Sequence, residues 1–428
     1  LLLPQIYQKM SVLRCIKCSK EYPLDKIRYR CDCGDLLEVS HDLAKAGVSR
    51  ELFDKRLGTL KWPYSSGVWR YKEIILPIDD KFIISRPEGN TNLYCSAKVS
   101  NYVQHDNLCL KHEGENPTGS FKDRGMTTGM TAAKMLGAKV VACASTGNTS
   151  ASMAAYAAMA GMKAVVFIPE GKIAFGKLAQ AVAYGAKVIQ IEGDFDDAMA
   201  LVQEASKELK MYLLNSINPF RLEGQKSISI EAIQQSGWKV PDWFVLPGGN
   251  LGNSSAMGKA MMELNELGLI DKIPKIAVIQ AEGANPFYQY YKGGFKEFKS
   301  MKADTLATAI KIGNPVSWRK LEKVMKWCKG VVEQVSEQEI IDAKAIVDAA
   351  GIGAEPASCA TVAGIKKLKE KGVIKEGESV VGILTGNVLK DPDMIINYHN
   401  GALNGLKSNY ANKMVKIKPT LAEVKRVV

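Results

Sequence analysis

The stretch Asn116-Pro117-Thr118-Gly119-Ser120-Phe121-Lys122-Asp123-Arg124-Gly125 sets one lysine, Lys122, in a turn of small and polar residues just ahead of an apolar run. Pro-Thr-Gly-Ser cannot continue as helix, whereas Met126 to Leu136 can, so the lysine stands at a helix junction. From there an amine can project into a cleft. That is the placement required for a Schiff base with an aldehyde cofactor, of which pyridoxal phosphate is the commonest. A surface lysine at a helix start accounts for the same ten residues, so the choice falls to the rest of the chain.

Four further loops carry chemistry. Ala144-Ser145-Thr146-Gly147-Asn148-Thr149-Ser150 opens a small-residue helix, and its hydroxyls, amide and backbone N–H groups suit a carboxylate or another anion. The structural alternative is an N-cap, which needs only one such residue. Pro247-Gly248-Gly249-Asn250-Leu251-Gly252-Asn253 also leads into a helix. Its glycines let backbone amides converge on a phosphate, although it lacks both the Gly-Lys-Ser/Thr ending of a Walker loop and the dinucleotide fingerprint. Thr385-Gly386-Asn387 offers a hydroxyl to the ring nitrogen of a cofactor. Asn215 to Lys226 holds Ser216 and Arg221; the guanidinium fork suits a phosphate, and a helix-surface arginine paired with an acid is the alternative.

The cysteines form a separate group. Cys15-x2-Cys18 and Cys31-x-Cys33 are separated by twelve residues, with Gly34 as a knuckle turn. Four thiolates suit tetrahedral zinc, while the second pair is one residue shorter than the usual spacing. A ribbon of reduced cysteines without metal remains the other reading, and His41 is less suited as a ligand.

The elements that must position these residues alternate from about Thr91 onward. Strands are expected at Lys139–Cys143, Ala164–Ile168, Val188–Ile191, Tyr212–Leu214, Trp243–Leu246, Ile276–Gln280 and Val380–Leu384. Helices are expected at Thr149–Ala160, Ala174–Tyr184, Phe195–Leu209, Leu222–Gln235 and Asn253–Leu267. This is an α/β pattern of parallel-rich sheets flanked by helices, whose ligands bind beyond the carboxyl ends of strands.

Composition is that of a soluble chain: 428 residues, 46% hydrophobic and 24% charged. No apolar run reaches the length of a membrane span, so no membrane partner is expected, and Leu1-Leu2-Leu3-Pro4 is too short for a signal peptide. Residues ahead of Met10 read as a remnant, with Met10-Ser11 as the natural start. Nine cysteines argue against a disulfide scaffold and for a cytoplasmic location. The net charge of +12 is dispersed, with its clearest excess in the tail from Ser408 to Val428. A solvated tail and a cleft for anions account for it, and no nucleic-acid partner is expected.

Together NPTGSFKDRGMT, ACASTGNTSAS, NSINPFRLEGQK, PGGNLGN, AIKIGNPVSW, EPASCATVAG and LTGNVLKDP resemble the threonine synthases of the pyridoxal-phosphate fold type II (tryptophan-synthase-β-like) family, from about Trp62 to Tyr398. WPYSSGVW and the extended tail look like the plant-type branch, to which the cysteine ribbon is an addition. The resemblance implies a two-domain fold with a small N-terminal cysteine ribbon in 1–64. The large cofactor-binding domain would be 65–122 with 223–428, and the small domain 123–222.

The resemblance also implies the site. Lys122 would carry pyridoxal 5'-phosphate as a Schiff base, Asn148 would bond its ring oxygen, and Gly249, Asn250, Leu251, Gly252 and Asn253 would hold its phosphate. Thr385 would face the ring nitrogen; a neutral hydroxyl there would not keep the nitrogen protonated. Ser145, Thr146 and Thr149 would bind the substrate carboxylate, and Ser216, Arg221 and Asn250 its phosphate. The implied enzyme is a lyase of threonine biosynthesis that turns O-phospho-L-homoserine and water into L-threonine and phosphate. A homodimer is expected. S-adenosylmethionine is a candidate effector, with Trp62 to Trp69 as either an adenine pocket or core at a domain junction. Zinc at Cys15, Cys18, Cys31 and Cys33 would be structural. Cysteate synthase, threonine dehydratase and cysteine synthase are rivals within the fold. A nucleic-acid-binding zinc-ribbon protein is the rival outside it.

Overall fold

The computed structural model describes residues 10–170, 175–193 and 195–428. Residues 1–9, expected to be a remnant, and Ala174, the expected start of one helix, lie outside the described residues. Three sheets organise the chain. β1 (Ser11–Cys15), β2 (Glu21–Tyr22) and β3 (Leu37–His41) make a small antiparallel sheet in the order β2-β1-β3. β6 (Val140–Ala144), β7 (Lys163–Pro169), β8 (Lys187–Ile191) and β9 (Tyr212–Leu213) form a parallel sheet in the order β8-β7-β6-β9. The six-stranded sheet runs β12-β11-β10-β13-β5-β4, from β4 (Leu93–Tyr94), β5 (Leu108–His112), β10 (Trp243–Pro247), β11 (Lys275–Ala281), β12 (Val331–Val335) and β13 (Val380–Leu384). All its pairs are parallel except β4 with β5.

Central strands such as β10 and β13 are buried along their whole length. That is why they read as unbroken apolar runs: helices cover both faces. The seven expected strands lie within one residue of the observed ones at each end. Three large-sheet strands escaped the pattern: β4 is only two residues long, and β5 and β12 carry polar residues inside. β5 contains Lys111, which is fully buried against Glu231, and β12 contains Glu333 and Gln334.

Lys122 does not precede its helix, as the sequence suggested, but is the first residue of the helix Lys122–Met135. The Asp123 carboxylate accepts the backbone N–H and the hydroxyl of Thr118, at 2.6 and 2.5 Å, and so folds the Thr-Gly-Ser turn onto the helix start. The helix Pro219–Gln235 likewise begins three residues before its expected Leu222. Pro219 occupies its first turn, and Asn218 caps it by accepting the Phe220 N–H. These two helices approach to backbone contact. A Cβ on Gly224 would stand 1.7 Å from the Arg124 carbonyl oxygen, and one on Gly125 2.7 Å from that of Arg221. Only glycine fits at either crossing point.

Beneath the crossing lies a buried ion cluster. Arg124 donates to Glu113 at 2.6 Å and to Glu231 at 2.8 Å, and Glu231 also takes Lys111 at 2.6 Å and Arg70 at 3.1 Å. These bonds fix the Lys122 helix to β5 and to the Pro219 helix. At the sheet edge Cys95 and Cys109 form a disulfide beside β4, a single bridge that the sequence did not point to; the other seven cysteines are free. Among the described residues no helix is long and apolar enough to cross a membrane.

Candidate active site

The loops that carry chemistry sit at the carboxyl ends of neighbouring parallel strands. In the large sheet, β10, β13 and β5 are adjacent, and they lead into the glycine loop, Thr385 and the Lys122 turn respectively. In the smaller parallel sheet the adjacent β6 and β9 lead into the Ser145 loop and the Asn215–Arg221 loop. Parallel order therefore brings all five loops to strand ends of one sense, where such sheets bind ligands.

Lys122 is half-buried in the wall, its Nζ 4.2 Å from the centre of the Phe121 ring. Withdrawal from water draws its pKa down to about 7, the Arg221 charge adds to the fall, and Glu355 opposes it. A substantial share of this amine is neutral at physiological pH, as a proton-transferring base requires. Arg221 is 2% exposed. Its Nη1 donates to the Leu214 carbonyl at 2.9 Å, its Nε has no partner, and no carboxylate among the described residues pairs with it. Burial lowers its pKa to about 10, leaving a dry cation that lacks its anion.

The polar helix start at Ser145 is not spent on capping. The N-cap position is Gly147, without a side-chain cap. Ser145 Oγ accepts the Gly147 N–H, and the Ser150 hydroxyl donates to the Gly147 carbonyl. Asn215 ties this loop to the arginine loop, its amide side chain bonding both the N–H and the carbonyl of Ala144 at 3.0 and 2.9 Å. Ser216 is half-buried in that second loop. Asn148 donates to both oxygens of Glu355, at 3.2 and 3.1 Å.

Thr385 is buried, its hydroxyl 3.0 Å from that of Ser358, and its carbonyl accepts the Phe121 N–H at 3.0 Å. Thus Thr385 is bonded to the residue directly before Lys122. In the glycine loop, Leu251 adopts a left-handed φ of +63°. The Asn250 carbonyl accepts the Ser317 N–H at 3.2 Å. Both amide atoms of Asn253 and the hydroxyl of Ser317 are buried without partners. A Cβ on Gly249 would press against the Ala309 carbonyl at 3.3 Å, so a side chain there would crowd the loop.

Glu355, Ser358, Ser317 and Ser120 were not singled out from the sequence. Ser120 adds another fully buried hydroxyl without a partner, two residues before Lys122. The available signal for Glu355 was an acid directly before Pro356 at a helix start. The cysteines stand apart from the cleft, and His41 is not with them: it bonds Ser11 and Glu223. Trp69 of the aromatic segment is core, donating to Thr127 at 2.8 Å, while Trp62 is exposed.

Comparisons with known proteins agree with this arrangement of strand-end loops. The family described as "Pyridoxal-phosphate dependent enzyme" matches residues 84–386. A protein of Methanocaldococcus jannaschii named "Threonine synthase" is 49% identical over 387 residues, 90% of this chain and 94% of that protein. "Threonine synthase 2, chloroplastic" of Arabidopsis thaliana is 42% identical over 424 residues, 96% of this chain and 82% of that protein. Among solved structures, threonine synthase from Escherichia coli superposes with a TM-score of 0.69 at 18% identity, covering 97% of this chain and 94% of that one, a likeness of fold.

Proposed function

The chain belongs to the pyridoxal-phosphate dependent enzymes and, within them, to the threonine synthases, and on that premise we propose how its cleft converts O-phospho-L-homoserine and water into L-threonine and phosphate. The observation that carries the assignment is Arg221, a buried guanidinium with no carboxylate partner among the described residues, set within electrostatic reach of a lysine whose pKa falls to about 7. A phosphorylated substrate supplies the missing anion; serine or threonine does not.

Pyridoxal phosphate fits the cleft on the chemistry of its donors. Asn253 and Ser317 hold buried polar atoms without partners beside the glycine loop, as a phosphate site requires. Gly249 to Asn253 would hold that phosphate, Thr385 would face the ring nitrogen and Asn148 the ring oxygen. When bound, the cofactor supplies an aldehyde that takes up an amine and withdraws electrons from the neighbouring carbon.

The remaining work falls to the chain. Ser145, Thr146 and Thr149 bind the substrate carboxylate at a helix start, where backbone N–H groups add attraction. Ser216, Arg221 and Asn250 grip the phosphate, and Arg221 stabilises the charge that grows as phosphate leaves the γ carbon. Lys122 Nζ takes the α proton and moves protons at the β carbon, where water adds. Glu355, which faces Asn148 and influences Lys122, orients the former and steadies the charge of the latter.

The division into 1–64, 65–122 with 223–428, and 123–222 belongs to the same proposal and is supported by the three separate sheets. So do a homodimer, a cytoplasmic location and S-adenosylmethionine as effector. The deciding experiment measures phosphate and threonine together from O-phosphohomoserine, in wild type and Lys122→Ala. Equimolar products in wild type alone support the assignment. Turnover of threonine or serine in place of the phosphorylated substrate would transfer the chain to a dehydratase.

A further inference from the structure

We infer that Cys15, Cys18, Cys31 and Cys33 bind one structural zinc ion, and that the ribbon it closes braces the phosphate-gripping loop from behind through Tyr29. The four sulfurs all lie within 4.8 Å of one another. Cys15 and Cys33 are 3.5 Å apart, Cys18 and Cys31 3.4 Å. Zinc–sulfur bonds of about 2.3 Å in a tetrahedron place sulfurs roughly 3.8 Å apart, so the two close pairs open slightly and the set adjusts by about 1 Å or less to close on an ion. Both close pairs stand too far apart for disulfides, and all four thiols are free.

The surroundings are those of thiolates. The N–H groups of Lys17 and Cys18 point at Cys15 Sγ, at 3.4 and 3.5 Å. The Tyr22 hydroxyl lies 3.2 Å from Cys31 Sγ while accepting the Asp32 N–H. Such donors stabilise negative sulfur and orient it toward a metal. Cys15 and Cys31 are buried whereas Cys18 and Cys33 reach solvent, which gives an ion a way in. The module also needs a staple: its sheet has strands of five, two and five residues.

The ribbon touches the rest of the molecule where the site is built. The Tyr29 hydroxyl, two residues before Cys31, accepts the backbone N–H of Leu213 at 2.7 Å, and its ring packs against Tyr212. Those residues are β9, and Asn215, Ser216 and Arg221 follow directly. On the other side Asp35 holds Arg319 at 2.9 Å and the Leu37 carbonyl accepts from Lys320 at 2.7 Å. Both partners lie just after Ser317. His41 reaches Glu223, two residues beyond Arg221, at 3.0 Å.

The metal half of the inference is independent of the proposed reaction; the bracing half rests on it. Metal analysis of the purified full-length holoenzyme is expected to give about one zinc per chain, and the Cys18→Ser/Cys33→Ser variant, altered at the two exposed ligands, close to none. Replacement by cobalt(II) should produce the red-visible absorption of a tetrahedral thiolate site. Wild type that neither carries zinc nor takes it up from added zinc(II) would overturn the metal site.

Tyr29→Phe should keep its zinc and its kcat while KM for the phosphorylated substrate rises about fivefold, the factor that one buried hydrogen bond carries. Inorganic phosphate, as a competing ligand, should weaken by the same factor. Unchanged KM and phosphate affinity in a zinc-loaded Tyr29→Phe protein would overturn the bracing while leaving the metal in place. Phosphate that binds and responds to Tyr29→Phe in a protein inactive on O-phosphohomoserine would instead remove the reaction and keep the brace.

Discussion

Two groups of buried charge lie on the same pair of helices and follow opposite rules. Around Glu231, three cations (Arg70, Lys111 and Arg124) meet two carboxylates, and each finds an opposite charge within 3.1 Å. Around Arg221 a cation is buried without a counter-ion among the described residues, and Ser120 and the glycine loop add polar atoms without partners there. The first arrangement pairs every charge within the chain, leaving only Arg70 Nε without a hydrogen bond among the described residues, and holds helices together. The second has bonds left over, and leaving them over costs stability unless a ligand completes them. The contrast separates architecture from site without reference to any relative.

The comparison breaks most completely at Lys122. Lys122→Ala should reduce threonine formation by about 10³-fold or more while the protein stays folded, as steady-state rates and circular dichroism would register. Next is the charge-paired cluster. Glu231→Gln leaves three cations against one carboxylate and should lower unfolding stability by about 3–5 kcal/mol in urea titrations. A change below about 1 kcal/mol would mean that the cluster is not what holds the helices.

Arg221 should behave in the opposite sense. Arg221→Met is expected to lower kcat at saturating substrate about 100-fold, since it takes away charge stabilisation on the leaving phosphate. Without ligand, the same variant should be more stable than wild type by about 1 kcal/mol, because an unpaired buried charge is gone. Equal losses of stability in Glu231→Gln and Arg221→Met would erase the distinction between the two clusters.

The pH dependence sharpens the same point. Catalysis uses the neutral Lys122 amine, so turnover should fall as pH drops through about 7. Arg221 is the second cause of that low value, after burial. Removing its charge should therefore move the acid limb to higher pH in Arg221→Met, and an unmoved limb would show that the two groups do not communicate. The smallest effect is expected at Ser317→Ala. Its hydroxyl bonds nothing among the described residues, so stability should stay within about 0.5 kcal/mol while retention of pyridoxal phosphate weakens about fivefold.

Much of this was legible in the residues, and what was missed has a common cause. Strands buried on both faces announce themselves as apolar runs, and the loops after them carry hydroxyls, amides and glycines in excess of structural need. β5 and β12 were missed because Lys111 and Glu333 interrupt the apolar pattern; Lys111 is paired with Glu231, which lies far along the chain. The early start of the Lys122 helix was missed because the Thr118–Asp123 bonds convert a helix-breaking sequence into a helix-initiating one. Glu355 escaped because an acid before a proline is unremarkable until folding brings it to Asn148.

One modest feature at the sheet margin bears on how copies of this chain can meet. β4 contributes only two antiparallel residues to the edge of the six-stranded sheet, and the Cys95–Cys109 disulfide ties the chain beside it back to β5. A long bare edge invites a neighbour's strand, and short, tethered edges are how folds refuse that invitation. At this margin the sheet has no run of free N–H and C=O groups to lend. This flank is therefore closed to the strand-by-strand growth that leads to aggregates.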